Sequence, residues 1–484
     1  MTKTKADQKT KREDKPKAKL TRMKKYKYHY GWVLQIHPSD RQKAIIKKNY
    51  DAQRFVYNTL VGDNRQIYYL KKTTQACYKA RQVPYQVPYR VTYRSFTCSF
   101  ADIEREKEAE QIKANIATPK KIKDRFFFLQ DKDIDSLALA NANKNYSKAW
   151  KNYREIGHGT PTFHKKSNDW SYQTSCQYNT KYVDTPLLDN GSVCFIDQNH
   201  IQLPKLGKIR TSKMPKILLE RLQAKQEVRI GTTTIRRSAD GHFTVSIQLG
   251  SNLPFAKQFA KTGSEIGIDL NTDNFLTESN GAMVGNPRYY RKALPRLKRM
   301  QRSLSRKQRR AKKEGRSLYK AKNYQKQRLR VAKLQAKVKR QRHAFLDYLS
   351  TVLIKNHDLI VAEELRSKNM LKNHALAMSI SDAGWRAFLT MLEYKAKLHG
   401  KIFITINPAY TTQRCNICGN VMGRNGQRKL TLKDRDWVCP NCGTYHVRDW
   451  NAAINIIEKY KIKWKVRKGK QCTKIIEKSP IVAL

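Results

Sequence analysis

Two cysteine pairs place the tightest constraint on how this chain can fold. Cys415 and Cys418 are separated by two residues, as are Cys439 and Cys442, and twenty residues lie between the pairs. Each pair lies in a short knuckle, CNICG or CPNCG, whose glycine lets backbone amides turn toward a thiolate. Four thiolates without a water position are typical of a structural zinc site. The pattern therefore predicts a zinc ribbon, and nearby His446 is expected not to be a ligand because the four positions are filled.

The remaining cysteines are predicted to be reduced thiols without a metal. Nine cysteines are an odd number, and they occur in a long, lysine-rich chain with no signal-peptide pattern, so a disulfide framework is not expected. The five outside the ribbon are scattered: Cys77, Cys98, Cys176, Cys194 and Cys472.

The charge of the chain predicts a polyanionic partner. Its 484 residues include 99 Lys and Arg against 39 Asp and Glu, for a formal net charge of +60. Such a chain repels itself unless a polyanion neutralises it. A membrane surface could do so, but no apolar run is long enough to span a bilayer and the N-terminus lacks the apolar core of a signal peptide. We therefore expect nucleic acid as the partner, no membrane, and salt-dependent binding.

Changes in the hydrophobic pattern along the chain predict a multidomain α+β protein. Short strands between Gly, Asp and Asn turns are typical of a small β-barrel, and a mainly helical pattern interrupts it. Apolar strands ending in acids then alternate with helices, which indicates an α/β domain. The predicted segments are a disordered basic arm (1–22), the barrel (23–40 and 190–252), its helical insertion (41–189), the α/β domain (253–410 and 444–462), the zinc module (411–443) and a basic tail (463–484).

A strongly basic stretch at residues 288–342 predicts a helical hairpin that faces phosphates. It holds about two dozen Lys and Arg. Apolar residues recur at heptad-like spacing on both sides of Gly315, which marks the expected turn. The charge is nearly one-signed, which favours a phosphate-facing surface over internal salt bridges. The candidate contacts are Arg302, Arg306, Arg309 and Arg310.

Three acids are candidate metal ligands. Asp269 ends the apolar strand EIGID, Glu363 ends a second strand in DLIVAEEL, and Asp449 opens a helix. Acids gathered at the strand ends of an α/β sheet would repel one another unless cations join them, and Mg²⁺ prefers such oxygen ligands. Two ions about 3.5–4 Å apart can activate a water and stabilise the leaving oxygen in phosphodiester cleavage. The pattern alone does not choose between Glu363 and Glu364.

The same residues lie in motifs that resemble the TnpB family, the RNA-guided nucleases of some insertion sequences, which are related to compact type V CRISPR effectors. The resemblance spans roughly residues 23–460. Its motifs are RFVYN (54–58), LPKLG (203–207), GIDLNTDNF (267–275), IVAEEL (360–365), SISDAGW (379–385), LEYKAKLHG (392–400), TTQRCNICG (411–419), CPNCG (439–443) and HVRDWNAAINI (446–456). Several unusual motifs in this order make the match specific.

The resemblance implies a fold and a function for each predicted segment. The barrel would be a wedge domain, the helical insertion a recognition lobe, and the α/β domain an RNase H-like RuvC nuclease interrupted by the zinc module. It implies Asp269, Glu363 and Asp449 as the catalytic Mg²⁺-binding triad and places the acid at Glu363. It further implies a guide RNA, a double-stranded target DNA cut beside a short flanking motif, and one protein copy per ribonucleoprotein. The implied location is the prokaryotic cytoplasm, in association with the nucleoid. Tyr57 and Thr174 lie where the family contacts nucleic acid.

Several departures from the family pattern leave alternatives open. The N-terminal arm, residues 80–120 and the gap inside the zinc module are long, and HVRDWN has Val447 and Trp450 where polar residues are usual. These leave undecided whether the chain is transposon-borne or CRISPR-linked. Two other functions remain: a nuclease-inactive RNA-guided binder, which would be expected to lack one acid, and a transposase that uses the same fold for strand transfer.

Overall fold

The structure is a computed structural model, and it describes residues 22–80, 100–115, 119–178, 185–364, 378, 382–424, 426–431 and 433–469. These fall into two compact units, one ending at Phe255 and the other beginning at Ala256. Outside the described residues lie the predicted basic arm up to residue 21, part of the long segment at 80–120, part of the SISDAGW motif and the predicted tail from residue 470.

The first unit is built on a seven-stranded antiparallel sheet. In chain order its strands are β1 (Tyr28–His37), β2 (Trp170–Ser175), β3 (Cys194–Asp197), β4 (His200–Leu203), β5 (Gly207–Thr211), β6 (Arg229–Arg237) and β7 (Phe243–Ser251), arranged as β2-β6-β7-β1-β5-β4-β3. Buried and exposed side chains alternate along the second half of β1, where Trp32, Leu34 and Ile36 are buried. A β-bridge between Tyr178 and Gly191 joins the segments beside the two edge strands.

Helices of the first unit lie between β1 and β2 and between β5 and β6. They are α1 (Asp40–Ala80), α2 (Phe100–Asn115), α3 (Pro119–Arg125), α4 (Ser136–Ile156) and α5 (Lys216–Gln223). The first residues of α4 are capped by the Asp135 side chain, which accepts from the Leu137 amide, and Gly157 in the left-handed region ends it. Val56 and Leu60 of α1 pack with Leu139 of α4 in the helical core.

The sequence prediction missed two strands of this sheet. β5 was not predicted, and residues 41–189 were predicted as helical although β2 lies within them and pairs with β6. Strand β2 pairs with β6 along one edge, and its other edge contacts α1. There the Gln53 side chain exchanges two hydrogen bonds with the backbone of Gln173, 3.0 and 3.1 Å long. Only the folded chain brings these residues together.

The second unit carries a five-stranded mixed sheet. Its strands are β8 (Glu265–Asp269), β9 (Asn274–Glu278), β10 (Met283–Gly285), β11 (Leu359–Glu363) and β12 (Ile402–Ile406), in the order β10-β9-β8-β11-β12. Strands β8, β11 and β12 are parallel, with β12 at the edge, and β9 and β10 are antiparallel additions. All five strands were predicted from the sequence.

Helices cover both faces of this sheet. They are α6 (Tyr289–Lys313), α7 (Lys322–Asn356), α8 (Trp385–His399) and α9 (Arg448–Gly469). One face packs Ile268 and Ile360 against α7 and α8, including Phe388. The other face packs Val361 against Ile456 of α9. Central parallel strands buried on both faces have the near-continuous apolar sequences that identified them.

The predicted basic hairpin is confirmed. Helices α6 and α7 pack together, with Leu297 on one and Val331 and Val338 on the other buried, and Gly315 lies in the left-handed region just after α6. The connection closes with hydrogen bonds from the Gly315 and Arg316 amides to the last turn of α6. Among the described residues, no helix combines the length and apolar character needed to cross a bilayer.

Candidate active site and metal centre

Asp269 and Glu363 lie side by side at one edge of the second sheet. Strands β8 and β11 run parallel in a register that pairs Ala362 with Ile268, and the next residue on each strand is one of the two acids. Asp269 is 6% exposed and Glu363 is half-buried, whereas the neighbouring Glu364 is exposed. The carboxyl ends of adjacent parallel strands thus present two acids at the edge where α/β sheets bind ligands.

Helix α9 brings Asp449 to the same edge. Asp449 lies in the first turn of α9, where the helix dipole favours negative charge. The helix crosses β8 in close contact at Gly267, because a β-carbon there would lie 2.2 Å from the carbonyl oxygen of Ala453. The absence of a side chain at Gly267 therefore allows α9 to approach the strand that ends in Asp269.

The three carboxyl groups are electrostatically unfavourable as they stand. Burial, and then the charges of Glu363 and Asp449, raise the pKa of Asp269 well above its usual range. Burial also raises the pKa values of Glu363 and Asp449, although Arg448 opposes the effect at Asp449. Functional sites commonly contain several acids that interact electrostatically and have raised pKa values.

The carboxyl oxygens are spaced more widely than the cysteine sulfurs. A metal site needs three or more His, Cys, Asp or Glu residues with their ligand atoms close together. Within the part of the chain that the structure describes, only Cys415, Cys418, Cys439 and Cys442 form such a group, with all ligand atoms within 4.8 Å of one another. The structure thus places the acids at one sheet edge without bringing all three into a single small cluster.

Thr411 contacts the acid site and was not identified from the sequence. Its hydroxyl donates to Glu363 Oε1, which lowers the pKa of Glu363 against the effect of burial. The residue lies within the TTQRC motif, but its sequence separation of 48 from Glu363 gave no indication of the contact. This hydroxyl fixes the orientation of one of the three carboxylates.

The four cysteines come together as the spacing predicted. Cys415 Sγ lies 3.7 Å from Cys442 Sγ, and Cys418 Sγ lies 3.6 Å from Cys439 Sγ. Gly419 and Gly443 have positive φ angles of 79° and 68° and close the two knuckles. Strands β13 (Asp436–Val438) and β14 (Tyr445–Val447) pair beside them.

His446 lies next to the cysteine cluster. Its Nε2 atom is 3.1 Å from Cys415 Sγ, and its ring packs against Trp437. It is not part of the four-residue cluster found among the described residues. The imidazole is therefore placed to hydrogen-bond the sulfur of Cys415, which is one of the four cysteines of the cluster.

Two asparagines of α9 connect the cysteine module to the acid site. Asn451 donates to the Arg414 carbonyl at 2.8 Å and accepts from the Asn416 amide at 3.0 Å. Asn455, one turn later, donates to the carbonyls of Thr411 and Arg414. The helix that begins with Asp449 thus holds the backbone on both sides of Cys415, a role that the i, i+4 spacing of polar residues could have suggested.

Two predicted nucleic-acid contacts are buried. Thr174 is 1% exposed, and its hydroxyl donates to the Asp135 carboxylate. Tyr57 is 6% exposed, and its ring stacks on His164 with centroids 3.9 Å apart. These side chains cannot present a contact surface in this structure, because they form the junction of helices and β2 within the first unit.

The predicted arginine contacts are on the surface. Arg302, Arg306 and Arg309 are exposed and line a groove of about 840 Å³ along α6, together with Lys298 and Arg299. Residues that line this groove include no carboxylate. Arg310 is also exposed but forms an ion pair with Glu314, 2.9 Å long.

Two families match consecutive segments of the chain. Residues 252–374 match the OrfB_IS605 family, described as a probable transposase, and residues 385–456 match the Cas12f1-like TNB domain. Together these segments contain the three acids and the four cysteines. The TnpB resemblance is confirmed.

Curated relatives carry a consistent designation. A protein of Streptomyces pristinaespiralis, named as a candidate RNA-guided DNA endonuclease, is 35% identical over 227 residues. That match covers 47% of this chain and 52% of the relative, so the chain spans about half of the relative's length. InsQ of Escherichia coli K12, named in the same way, is 26% identical over 67% of this chain and 75% of its own.

Solved structures of CRISPR effectors align over most of the chain but superpose loosely. A Cas12f1–sgRNA–target DNA complex covers 89% of this chain and 98% of its own, with 13% identity and a TM-score of 0.39. The CRISPR-Cas_phi3 endonuclease covers 90% of this chain and 92% of its own, with 12% identity and a TM-score of 0.35.

Proposed function

We propose that this protein is an RNA-guided DNA endonuclease with a single RuvC-type site formed by Asp269, Glu363 and Asp449. The observation that carries the proposal is the placement of these acids, from two parallel strands and one helix start, at one sheet edge with raised pKa values. Relatives named as RNA-guided DNA endonucleases support it. Glu363 is assigned over Glu364 because it is half-buried beside Asp269 while Glu364 faces solvent.

We assign the segments of the chain to the family's domains on the same basis. The five-stranded sheet with α6–α9 is the RNase H-like nuclease domain, and the cysteine module inserted between β12 and α9 is its target-nucleic-acid-binding module. In the first unit, the seven-stranded sheet is the wedge and the helices α1–α4 form the recognition lobe. The match of residues 385–456 to a TNB domain supports the second assignment.

The acid site fits Mg²⁺ by its chemistry. Three carboxylates offer hard oxygen ligands, and their raised pKa values show that the unneutralised charge is unfavourable. Asp269, Glu363 and Asp449 would hold the metal, and Thr411 would keep Glu363 oriented toward it. When bound, two such ions supply an activated water and stabilise the leaving oxygen.

The cysteine module fits one structural Zn²⁺. Four thiols within 4.8 Å of one another leave no position for a reacting water. Cys415 and Cys439 are buried, whereas Cys418 and Cys442 are exposed, so the site lies at the surface of its module. Zinc would hold together a loop with little apolar content of its own, and Asn451 and Asn455 would connect that order to α9.

The nucleic-acid partners are a guide RNA and a double-stranded target DNA. A net charge of +60 and a cationic groove along α6 suit phosphate contacts, while guide pairing supplies sequence and the protein reads only a short flanking motif. One protein per ribonucleoprotein and a single triad require the two strands to be cut in turn. Such a complex would act in the prokaryotic cytoplasm on nucleoid DNA.

The experiment that tests this function begins with the RNA that copurifies with the protein. Sequencing it defines the guide, and a DNA duplex matched to the guide and carrying a library of flanking sequences is then incubated with the complex and Mg²⁺. We expect cleavage of both strands beside one flanking motif. A product with only one strand nicked would contradict sequential cutting by one site.

The same assay separates the two alternatives. Tight binding of the matched duplex without cleavage in Mg²⁺ would identify a nuclease-inactive guided binder. Strand-transfer products formed without RNA would identify a transposase. The presence of all three acids at one edge favours the nuclease over the inactive binder.

A further inference from the structure

Trp450, which departs from the family pattern, makes a specific contact beside the acid site. It directly follows Asp449 in the first turn of α9 and is 42% exposed. Its indole N–H donates to the carbonyl of Ser279, 3.0 Å away, in the turn between β9 and β10. The backbone of that turn packs on the indole, because a β-carbon at Gly281 would lie 3.6 Å from the ring.

The turn that Trp450 contacts is hydrogen-bonded to the strand that carries Asp269. The Ser279 amide donates to the Gly267 carbonyl at 2.9 Å, and the Gly267 amide donates to the Ser279 hydroxyl at 3.1 Å. Gly267 lies two residues before Asp269 on β8. One hydrogen bond from Trp450 to Ser279 and two between Ser279 and Gly267 therefore connect the residue next to Asp449 with the strand of Asp269.

Helix α9 contacts the sheet at a second point one turn later. At Gly267 a β-carbon would lie 2.2 Å from the Ala453 carbonyl oxygen and 3.0 Å from the Ile457 amide nitrogen. In the first turn of α9, Asn451 bonds the backbone of the cysteine module rather than the sheet, and helix ends fray where contacts are few. The Trp450 contact joins that turn to the sheet that carries Asp269.

We propose that Trp450 is a positioning residue that fixes the separation between the Asp449 and Asp269 carboxylates and thereby sets the affinity for divalent cations. The inference rests on the proposed triad. Metal ligands must be held to within about half an ångström of their productive positions, usually by neighbouring residues that do not touch the ion. Trp450 meets that description, since its ring and its N–H are both engaged with the sheet.

The test compares two Trp→Phe variants in the complete ribonucleoprotein. Trp450→Phe keeps an aromatic ring and removes the donor to Ser279. Trp385→Phe is the matched control, since Trp385 is buried in the core of the same unit and its indole nitrogen has no hydrogen-bond partner among the described residues. Both are measured for the Mg²⁺ concentration that gives half-maximal cleavage, for melting temperature and for zinc content.

A second measurement reports metal binding without cleavage. Mn²⁺ uptake is followed by electron paramagnetic resonance, and the Asp449→Asn complex supplies the background from Mn²⁺ bound to RNA. We expect Trp450→Phe to require roughly threefold to tenfold more Mg²⁺ and to bind Mn²⁺ correspondingly more weakly, as for the loss of one hydrogen bond. Its rate at saturating Mg²⁺, melting temperature and zinc content should stay near those of the wild type.

The outcomes distinguish the inference from the proposed function. A wild-type Mg²⁺ requirement in Trp450→Phe would overturn the positioning role, as would an equal shift in Trp385→Phe, which would indicate a general effect of core packing. Wild-type cleavage and Mn²⁺ uptake by Asp449→Asn would instead overturn the triad itself, whatever Trp450→Phe does.

Discussion

The two ends of strand β11 carry acids with opposite electrostatic situations. Asp358, just before the strand, pairs with Lys401 and accepts from the amides of Thr262 and Gly263, and these contacts lower its pKa to about 2. Glu363, five residues later at the other end, has a pKa raised by burial, and its neighbour Asp269 has a pKa raised further.

This difference separates an acid that stabilises the fold from acids that are available for function. Asp358 anchors the segment before β8 and the start of β12 through partners that satisfy its charge. At Asp269, Glu363 and Asp449 burial outweighs the opposing effect of nearby Arg and Lys side chains, which is an arrangement that functional sites retain at the expense of stability. Strand-end position alone is therefore a poor guide to the role of an acid, and its partners are a better one.

The largest effect on stability should come from Asp358→Asn. The change leaves the Lys401 ammonium, whose side chain is 2% exposed, without its counter-charge. We expect the melting temperature to fall by roughly 5 °C, with guide-directed cleavage retained. An unchanged melting temperature would show that the Asp358 contacts do not support the fold.

The pH dependence of this effect has a definite sign. Because the folded pKa of about 2 lies below the ordinary value of 3.8, the contribution of Asp358 is present above about pH 4 and is lost as the pH falls toward 2. As the pH is lowered over this range, the melting temperature of Asp358→Asn should therefore fall less than that of the wild type. An equal fall in both proteins would contradict the lowered pKa.

A smaller effect of opposite sign is expected from Asp269→Asn without added Mg²⁺. Since its folded pKa is raised, ionising Asp269 destabilises the folded chain as the pH rises through that pKa. Near neutral pH we expect the variant to melt about 2–4 °C higher than the wild type, and the difference should disappear in acid. Added Mg²⁺ should stabilise the wild type more than the variant; a lower melting temperature for Asp269→Asn would contradict this account.

Thr411→Val should give the smallest change. It keeps the shape of the side chain and removes the hydroxyl that donates to Glu363. Loss of one such bond predicts cleavage slower by roughly threefold to tenfold, with little change in melting temperature. The matched control is Thr390→Val, since the Thr390 hydroxyl bonds only its own helix at Arg386 among the contacts found in the described residues; equal slowing in both variants would contradict a specific role for Thr411.

The sequence predicted features that have a local pattern. Apolar strands ending in acids located β8 and β11, heptad spacing located the α6–α7 hairpin, and cysteine spacing located the metal module. Each of these patterns extends over a few residues. A strand buried on both faces needs a continuous apolar run, and a helix packed along one side needs an apolar stripe.

Features that depend on distant residues were not predictable. The burial of Thr174 follows from α1 and Asp135 packing against β2, and the Trp450 contact joins residues 171 positions apart. The Thr411 hydroxyl reaches Glu363 only because the chain returns from β12 to the sheet edge. The family resemblance supplied Glu363 over Glu364, whereas the difference in exposure that supports this choice is visible only in the fold.

The most direct measurement compares the cleavage of one guide-matched duplex by Asp269→Asn and Asp358→Asn complexes, prepared with the same RNA and assayed at the same Mg²⁺ concentration below both melting transitions. Each variant replaces one carboxylate by an amide next to the same pair of strands. We expect Asp269→Asn to slow cleavage by on the order of a thousandfold while still binding RNA and DNA, and Asp358→Asn to remain within a few fold of wild type. Wild-type cleavage by Asp269→Asn, or an equal loss in both variants, would contradict this expectation.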